Sequence, residues 1–189
     1  LSVYQQSLVQ GWDHFYGDAE NAILAYLPGY VQNPNSSLIR MLKELIGRDP
    51  SGLSRFLELD KPLDHELLEH IEKAGKRPVL FGAAFGLADL AEKYHCPLPS
   101  GSIVLETGGM KTHRKEMGRD ELHELLAHGF DLDKSLIHSE YGMSEMLSQA
   151  YDPGDGWFRP VPWLRADIHN PDNPLELLDY GEEGLIGIN

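Results

Sequence analysis

From Leu38 onward the apolar residues Leu38, Ile39, Met41, Leu42, Leu45 and Ile46 recur three and four apart. That is the spacing of one helical face, and Gly47 stands where such a helix would stop. Just upstream, "NAILAYLP" is a short apolar run closed by Pro28 and Gly29, which reads as a buried strand. The "NPNSS" between them is a loop rich in helix-capping residues. The same unit returns: Asp64 precedes a helical pattern through Leu67, Leu68, Ile71 and Ala74 that closes at Gly75, and "PVLFG" follows as a strand. "FGLADLAEKY" then predicts a helix, "SIVLE" a strand, "GRDELHELLAHG" a helix and "SLIHSE" a strand. The first residues, to Phe15, form an amphipathic helix that would dock on the body.

Strands alternating with helices of this kind predict an α/β fold, a largely parallel sheet with helices on both faces. After Tyr151 the texture changes to turn-rich stretches, "DPGDGWFRPVPW" and "HNPDNP", with "WLRADI" and "GLIGI" as short strands. The expected organisation is an α/β portion over residues 1–151 and a small β-rich section of the same domain over 152–189.

Composition narrows the function. With 189 residues the chain can bury a proper core, and 41% hydrophobic and 24% charged residues mark an ordinary globular protein. No apolar run is long enough to span a bilayer, so no membrane association is expected. A net charge of −14 would repel a phosphate backbone, and no basic stripe offsets it, which argues against nucleic acid. The single cysteine, Cys96, excludes an internal disulfide and suits a reducing, cytoplasmic compartment. It is expected to be a packed structural residue.

In open α/β sheets ligands bind beyond the carboxyl ends of the strands. Four loops qualify: "PGYVQNPNSS", "GAAFG", "ETGGMKTHRK" and "EYGMSE". Gly108 and Gly109 permit positive φ and close approach of a ligand to the backbone, although a bare tight turn is the commoner use of such a pair. In "EYGMSE", Gly142 frees the backbone, Ser144 is able to donate to a phosphate at a helix N-terminus, and Glu145 to hold a hard cation. A plain cap at Ser144 and Glu145, opening the helix-like stretch through Tyr151, fits the spacing equally well. Lys111, His113, Arg114 and Lys115 form a small basic cluster, of which Lys111 is near enough to the glycines to face an anion. "HELLAH" is not a zinc-protease motif: His123 and His128 are five apart, which splays them by roughly 140° on a helix, and solvent-edge histidines are expected. Neither "GxxxxGK[ST]" nor "GxSxG" occurs.

Taken together, "ETGGMK", the downstream "HSEYGMSEMLSQAY" and the upstream "YLPGYVQNPNSSL" resemble the LuxE-type acyl-protein synthetase family of the adenylate-forming superfamily. The likeness runs over nearly the whole chain, and "YGMSE" matches the superfamily pattern of aromatic, Gly, any residue, Thr or Ser, Glu. The resemblance implies the N-terminal-domain fold of those enzymes, ATP with Mg²⁺, and activation of a carboxylic acid, a fatty acid in the LuxE-type branch, as an acyl-adenylate. Transfer to a thiol would follow, either an enzyme cysteine outside this chain with an acyl reductase as partner protein, or coenzyme A as in phenylacetate-type ligases.

By the same resemblance Tyr141 would stack on adenine, Ser144 would bond the α-phosphate and Glu145 would hold Mg²⁺. Gly108, Gly109, Met110, Gly142 and Met143 would line the nucleotide, and Tyr30, Gly82 and Ala83 would wall the acyl group. "GEEGLIG" resembles the strand motif that precedes a ribose-gripping aspartate. The family's upstream phosphate loop, its hinge and catalytic lysine, and its acyl-accepting cysteine find no match, so the chain is expected to be the central fragment of a longer enzyme, inactive alone. A non-catalytic nucleotide- or acyl-binding module is the remaining alternative.

Overall fold

The computed structural model describes residues 3–28, 36–108, 115, 117–179 and 181–189, with the backbone alone at Ser144. Among the described residues five α-helices and nine strands follow in order: α1 (Val3–Tyr16), β1 (Asn21–Tyr26), α2 (Ser37–Gly47), β2 (Arg55–Phe56), α3 (His65–Lys73), β3 (Arg77–Ala83), α4 (Ala84–Tyr94), β4 (Ile103–Thr107), α5 (Arg119–Phe130), β5 (Ile137–Met143), β6 (Ser148–Asp152), β7 (Arg159–Pro160), β8 (Ala166–His169) and β9 (Leu185–Ile188).

Seven strands form one sheet in the order β2-β1-β3-β4-β5-β6-β7. The first five are mutually parallel; β6 and β7 are antiparallel additions at one edge. The parallel strands are buried on both faces, which is why "NAILAY" and "RPVLFGA" read as continuous apolar runs rather than alternating ones. Phe81 stacks near Trp12 of α1, whereas its neighbour Gly82 faces Leu87 of α4. Successive strand residues point to opposite faces, so α1 and α4 cover opposite sides of the sheet. The fold is α/β with a mostly parallel sheet, as the alternation of patterns requires.

Local signals account for the helix ends. The Ser36 hydroxyl accepts from the Ile39 amide at 3.4 Å, and the Asp64 carboxylate from the Glu66 and Leu67 amides at 3.0 and 3.4 Å. Gly75, at φ +70, lies just beyond α3. Cys96 is buried and free, in keeping with a packing role.

Two expectations need correction. The stretch after Glu145 is not a helix: β5 continues through Tyr141, Gly142 and Met143, residues 144–146 make one 3-10 turn, and Ser148–Asp152 returns as β6. The apolar spacing of Met146, Leu147, Ala150 and Tyr151 imitates a helix, but pairing of five consecutive residues with β5 overrides it. Leu147 takes a left-handed φ of +51 to close the hairpin. His123 is not at a solvent edge; it is buried against the sheet, whereas His128 is exposed.

Beyond β7 the chain builds the small antiparallel pair β8-β9, and no residue from 162 onward is fully buried among those described. Among the described residues no helix is long and apolar enough to cross a membrane.

Candidate functional site

Register places the strand exits side by side. Ala83 pairs with Thr107 and Thr107 with Glu140, so β3, β4 and β5 reach one level at the carboxyl edge of the sheet. β5 then overhangs: Tyr141, Gly142 and Met143 pair only with Ala150, Gln149 and Ser148 of β6. The loops after β4 and β5 therefore open on the same edge, and Gly108, at φ +73 with open space around it, turns the chain out of β4 as glycine allows.

A cavity of about 310 Å³ lies at this edge on the α1 and α2 side. Tyr4, the first turn of α2 (Ser36, Ser37, Leu38), Met41, Thr107, Gly108, Glu140, Tyr141, Gly142, Met143 and Gln149 surround it. Its volume is at the lower end of the range of small-molecule sites. Four residues expected to bind a nucleotide thus meet here: Gly108, Tyr141, Gly142 and Met143. Glu145 is exposed in the turn beyond them. Gly82 and Ala83 are buried and do not border this cavity; a Cβ at Gly82 would lie 2.5 Å from the Tyr26 carbonyl oxygen and 2.9 Å from Leu87. Tyr30, Gly109, Met110 and the Lys111–Arg114 stretch lie outside the described residues, as does the Ser144 side chain.

Sequence reasoning assigned Gly142 its freedom of φ, but the residue is in an ordinary strand conformation. What it provides is room: a Cβ there would stand 2.5 Å from Glu140 Oε1, so the carboxyl would have to move. Glu140 itself, inside the quoted motif yet given no role, is buried and accepts the Thr107 hydroxyl. Burial, reinforced by the nearby Glu106 carboxylate and opposed by the Thr107 hydrogen bond, raises its pKa to about 7.

Tyr141 stands on the other face, 47% exposed, with its ring edge-on to Phe158 at 5.9 Å; the Arg119 guanidinium lies over Phe158 at 5.1 Å. Nothing in the spacing of "GDGWFRP" brought Phe158 to this site. On that same face His123 Nε2 is 3.1 Å from Ser139 Oγ and 3.6 Å from Glu106 Oε1. Both partners meet one ring nitrogen, so this is not a relay through the imidazole of the kind a nucleophilic triad needs.

Among the described residues no group of three His, Cys, Asp or Glu could hold a metal ion. The lone exposed carboxylate of Glu145 still fits Mg²⁺, which keeps its waters and takes one or two carboxylates together with substrate phosphates.

No family model matches the sequence, and no curated protein matches it significantly. Solved structures do share the fold. The amide bond synthetase McbA from Marinactinospora thermotolerans superposes with a TM-score of 0.60 at 18% identity, over 100% of this chain and 36% of that one. The unliganded O-succinylbenzoate coenzyme A synthetase MenE from Bacillus subtilis gives 0.60 at 16% identity, over 98% and 36%. The N-terminal subdomain of NpsA from Klebsiella oxytoca, in complex with 3-hydroxybenzoyl-AMSN, gives 0.54 at 14% identity, over 98% and 45%. The chain therefore spans less than half the length of each of these structures, and the likeness is one of fold.

Proposed function

We propose that this chain is the central part of an adenylate-forming, LuxE-like acyl-protein synthetase, which activates a carboxylic acid with ATP and passes the acyl group to a thiol. The observation that carries the reading is the convergence of Gly108, Tyr141, Gly142 and Met143 on one cavity at the carboxyl edge. The fold around that cavity is shared with enzymes named as an amide bond synthetase and a coenzyme A synthetase.

In this reading the nucleotide spans the overhanging edge of β5, and Tyr141, on the face away from α1 and α2, half exposed and braced by Phe158, offers a ring face to adenine. Gly108 lets the backbone run close beside it, with Gly109 and Met110 continuing that wall. Ser144 donates to the α-phosphate, and Glu145 holds Mg²⁺ on the phosphates. The acid's tail lies against Leu38, Met41 and Tyr4; Tyr30 remains a proposed wall, whereas Gly82 and Ala83 shape it only from behind, through the packing of β3.

A carboxylate oxygen attacks the α-phosphorus, the bond to the bridging oxygen of pyrophosphate breaks, and a thiol sulfur later displaces AMP from the acyl carbon. Mg²⁺, when bound, neutralises charge on the departing pyrophosphate. This chain's residues supply position and electrostatic complementarity. Coenzyme A as the final acceptor is the second reading, favoured by the fold shared with a coenzyme A synthetase.

Carboxylate-dependent exchange of labelled pyrophosphate into ATP tests the proposal in the gene product that contains these 189 residues. Exchange with at least one acid, lost at least a hundredfold in Glu145→Ala, is expected on the scale of single electrostatic contacts (about 10²–10³). Absence of exchange across a broad acid panel overturns it.

A further inference from the structure

We propose that Glu140 is a positioning residue: its buried carboxyl fastens the exit of β4 to the β5-β6 hairpin, holding the two candidate nucleotide loops at one spacing. The inference rests on the adenylate reading for the ligand, but the geometry that carries it does not.

Three contacts define the socket. Thr107, the last residue of β4, pairs with Glu140 across the strands and donates its hydroxyl to the carboxyl; the next residue, Gly108, begins the loop. Gly142, two residues on and on the same face, leaves open the space that Oε1 fills, 2.5 Å from where a Cβ would stand. Gln149, the partner of Gly142 on β6, brings its Cγ to 3.5 Å from that same point. One side chain thus touches the root of each loop.

A carboxyl is a costly choice for a purely structural peg, since burying an ionised one without a cation is unfavourable. Among the described residues no lysine or arginine forms an ion pair with it. The titratable groups on its own face are Tyr4 and Tyr16 on α1, Tyr151 on β6 and His138 on its own strand; Glu106 on β4 acts on it from the opposite face of the sheet, and Arg40 of α2 reaches only as far as Tyr4. Apart from that arginine and neutral His138, every one of these raises or leaves unopposed the cost of ionising Glu140. Near neutral pH the carboxyl therefore exchanges between a neutral form, which is able to donate as well as accept, and a charged form that the Thr107 hydroxyl still bonds but that burial and the Glu106 carboxylate disfavour. Glutamine reproduces the neutral form alone.

Calorimetric titration of the intact chain with ATP and Mg²⁺ between pH 6 and 8 is the test. With only the neutral form competent and a midpoint near 7, the apparent affinity of the wild type should fall about tenfold across that interval, by the fraction of competent protein. Glu140→Gln should bind at every pH within about threefold of the wild type at pH 6, and Glu140→Ala about tenfold more weakly throughout. Wild-type affinity in Glu140→Ala, or an unchanged pH slope in Glu140→Gln, overturns the inference.

If the wild type binds no ATP, the nucleotide reading fails and the latch is judged by hydrogen exchange without ligand. Thr107→Val, which keeps the shape and removes the bond, should then speed exchange in both 105–108 and 141–147, and Glu140→Gln in neither. Acceleration confined to one of the two segments overturns the latch.

Discussion

At the scale of single residues, two buried titratable side chains on β5 give opposite pH dependences. His138 is held neutral, its pKa lowered to about 4, chiefly because burial penalises the imidazolium; Tyr16 lies 3.2 Å from its Nδ1. The unfolded chain then takes up a proton as pH falls below the usual histidine value while the folded chain does not, so stability declines between about 6.5 and 4. Glu140 is shifted upward, so the folded state holds a proton that the unfolded state has lost, and stability declines as pH rises from about 4.5 to 7. Urea unfolding from pH 4 to 8 should separate the two. Glu140→Gln should abolish the decline between about pH 4.5 and 7, a gain of about 3 kcal/mol by pH 8, and His138→Gln the decline toward pH 4. The Glu140 part of this account fails if Glu140→Gln and the wild type run parallel between pH 4.5 and 7. "HSEYGMSE" exposed these residues to view, but nothing in it said which carboxylate would be covered and which left in water. Glu140 lies within the paired sheet and Glu145 in the turn beyond it, five positions apart.

Elements depend on a few close approaches. α4 and α5 pack side by side because Gly129 lets the α5 backbone approach Ala91, whose Cα is 3.0 Å from where a Cβ would stand. The opposing atoms are backbone and a methyl that has nowhere to rotate, so Gly129→Ala should cost about 1–3 kcal/mol by thermal or chemical unfolding. Wild-type stability in that variant would mean that the helices are free to separate. The loop from β6 to β7 is organised by Asp152, fully buried, whose Oδ1 accepts the amides of Gly154, Asp155 and Gly156 at 2.9–3.0 Å. Arg119 lies 3.2 Å from Oδ2, close enough for charge pairing though without a hydrogen bond's alignment. Asp152→Ala strands three amide donors and removes the carboxylate beside part-exposed Arg119, and a loss of about 2–3 kcal/mol is expected. It should be accompanied by movement of Phe158 away from Tyr141, visible as a change in near-ultraviolet circular dichroism. The alternation of helical and strand periods revealed all five helices and the four long parallel strands. It missed two-residue β2 and read β6 as helix, because a pattern of five residues is too short to distinguish periods.

For the whole molecule, the distribution of burial predicts unequal stability. The core gathers around β1, β3, β4 and β5 and the helices on them, whereas β8 and β9 bury no residue completely. Amides of 166–169 and 185–188 should exchange several orders of magnitude faster than those of 79–82 and 103–106, since opening them exposes little apolar surface. Equal protection would overturn the proposal that, within the small β-rich section over 152–189 of the same domain, the part beyond β7 is weaker than the main sheet. What the amino-acid sequence determined alone was the class of fold, through hydrophobic periodicity and caps acting over a few residues, and the two glycine-bearing loops. The level at which β4 and β5 end, the overhang that turns "YGMSE" into a hairpin, and the seating of Glu140 against Thr107 and Gly142 were decided by tertiary structure. Each depends on strand register between residues more than thirty positions apart, a relation that local spacing does not encode.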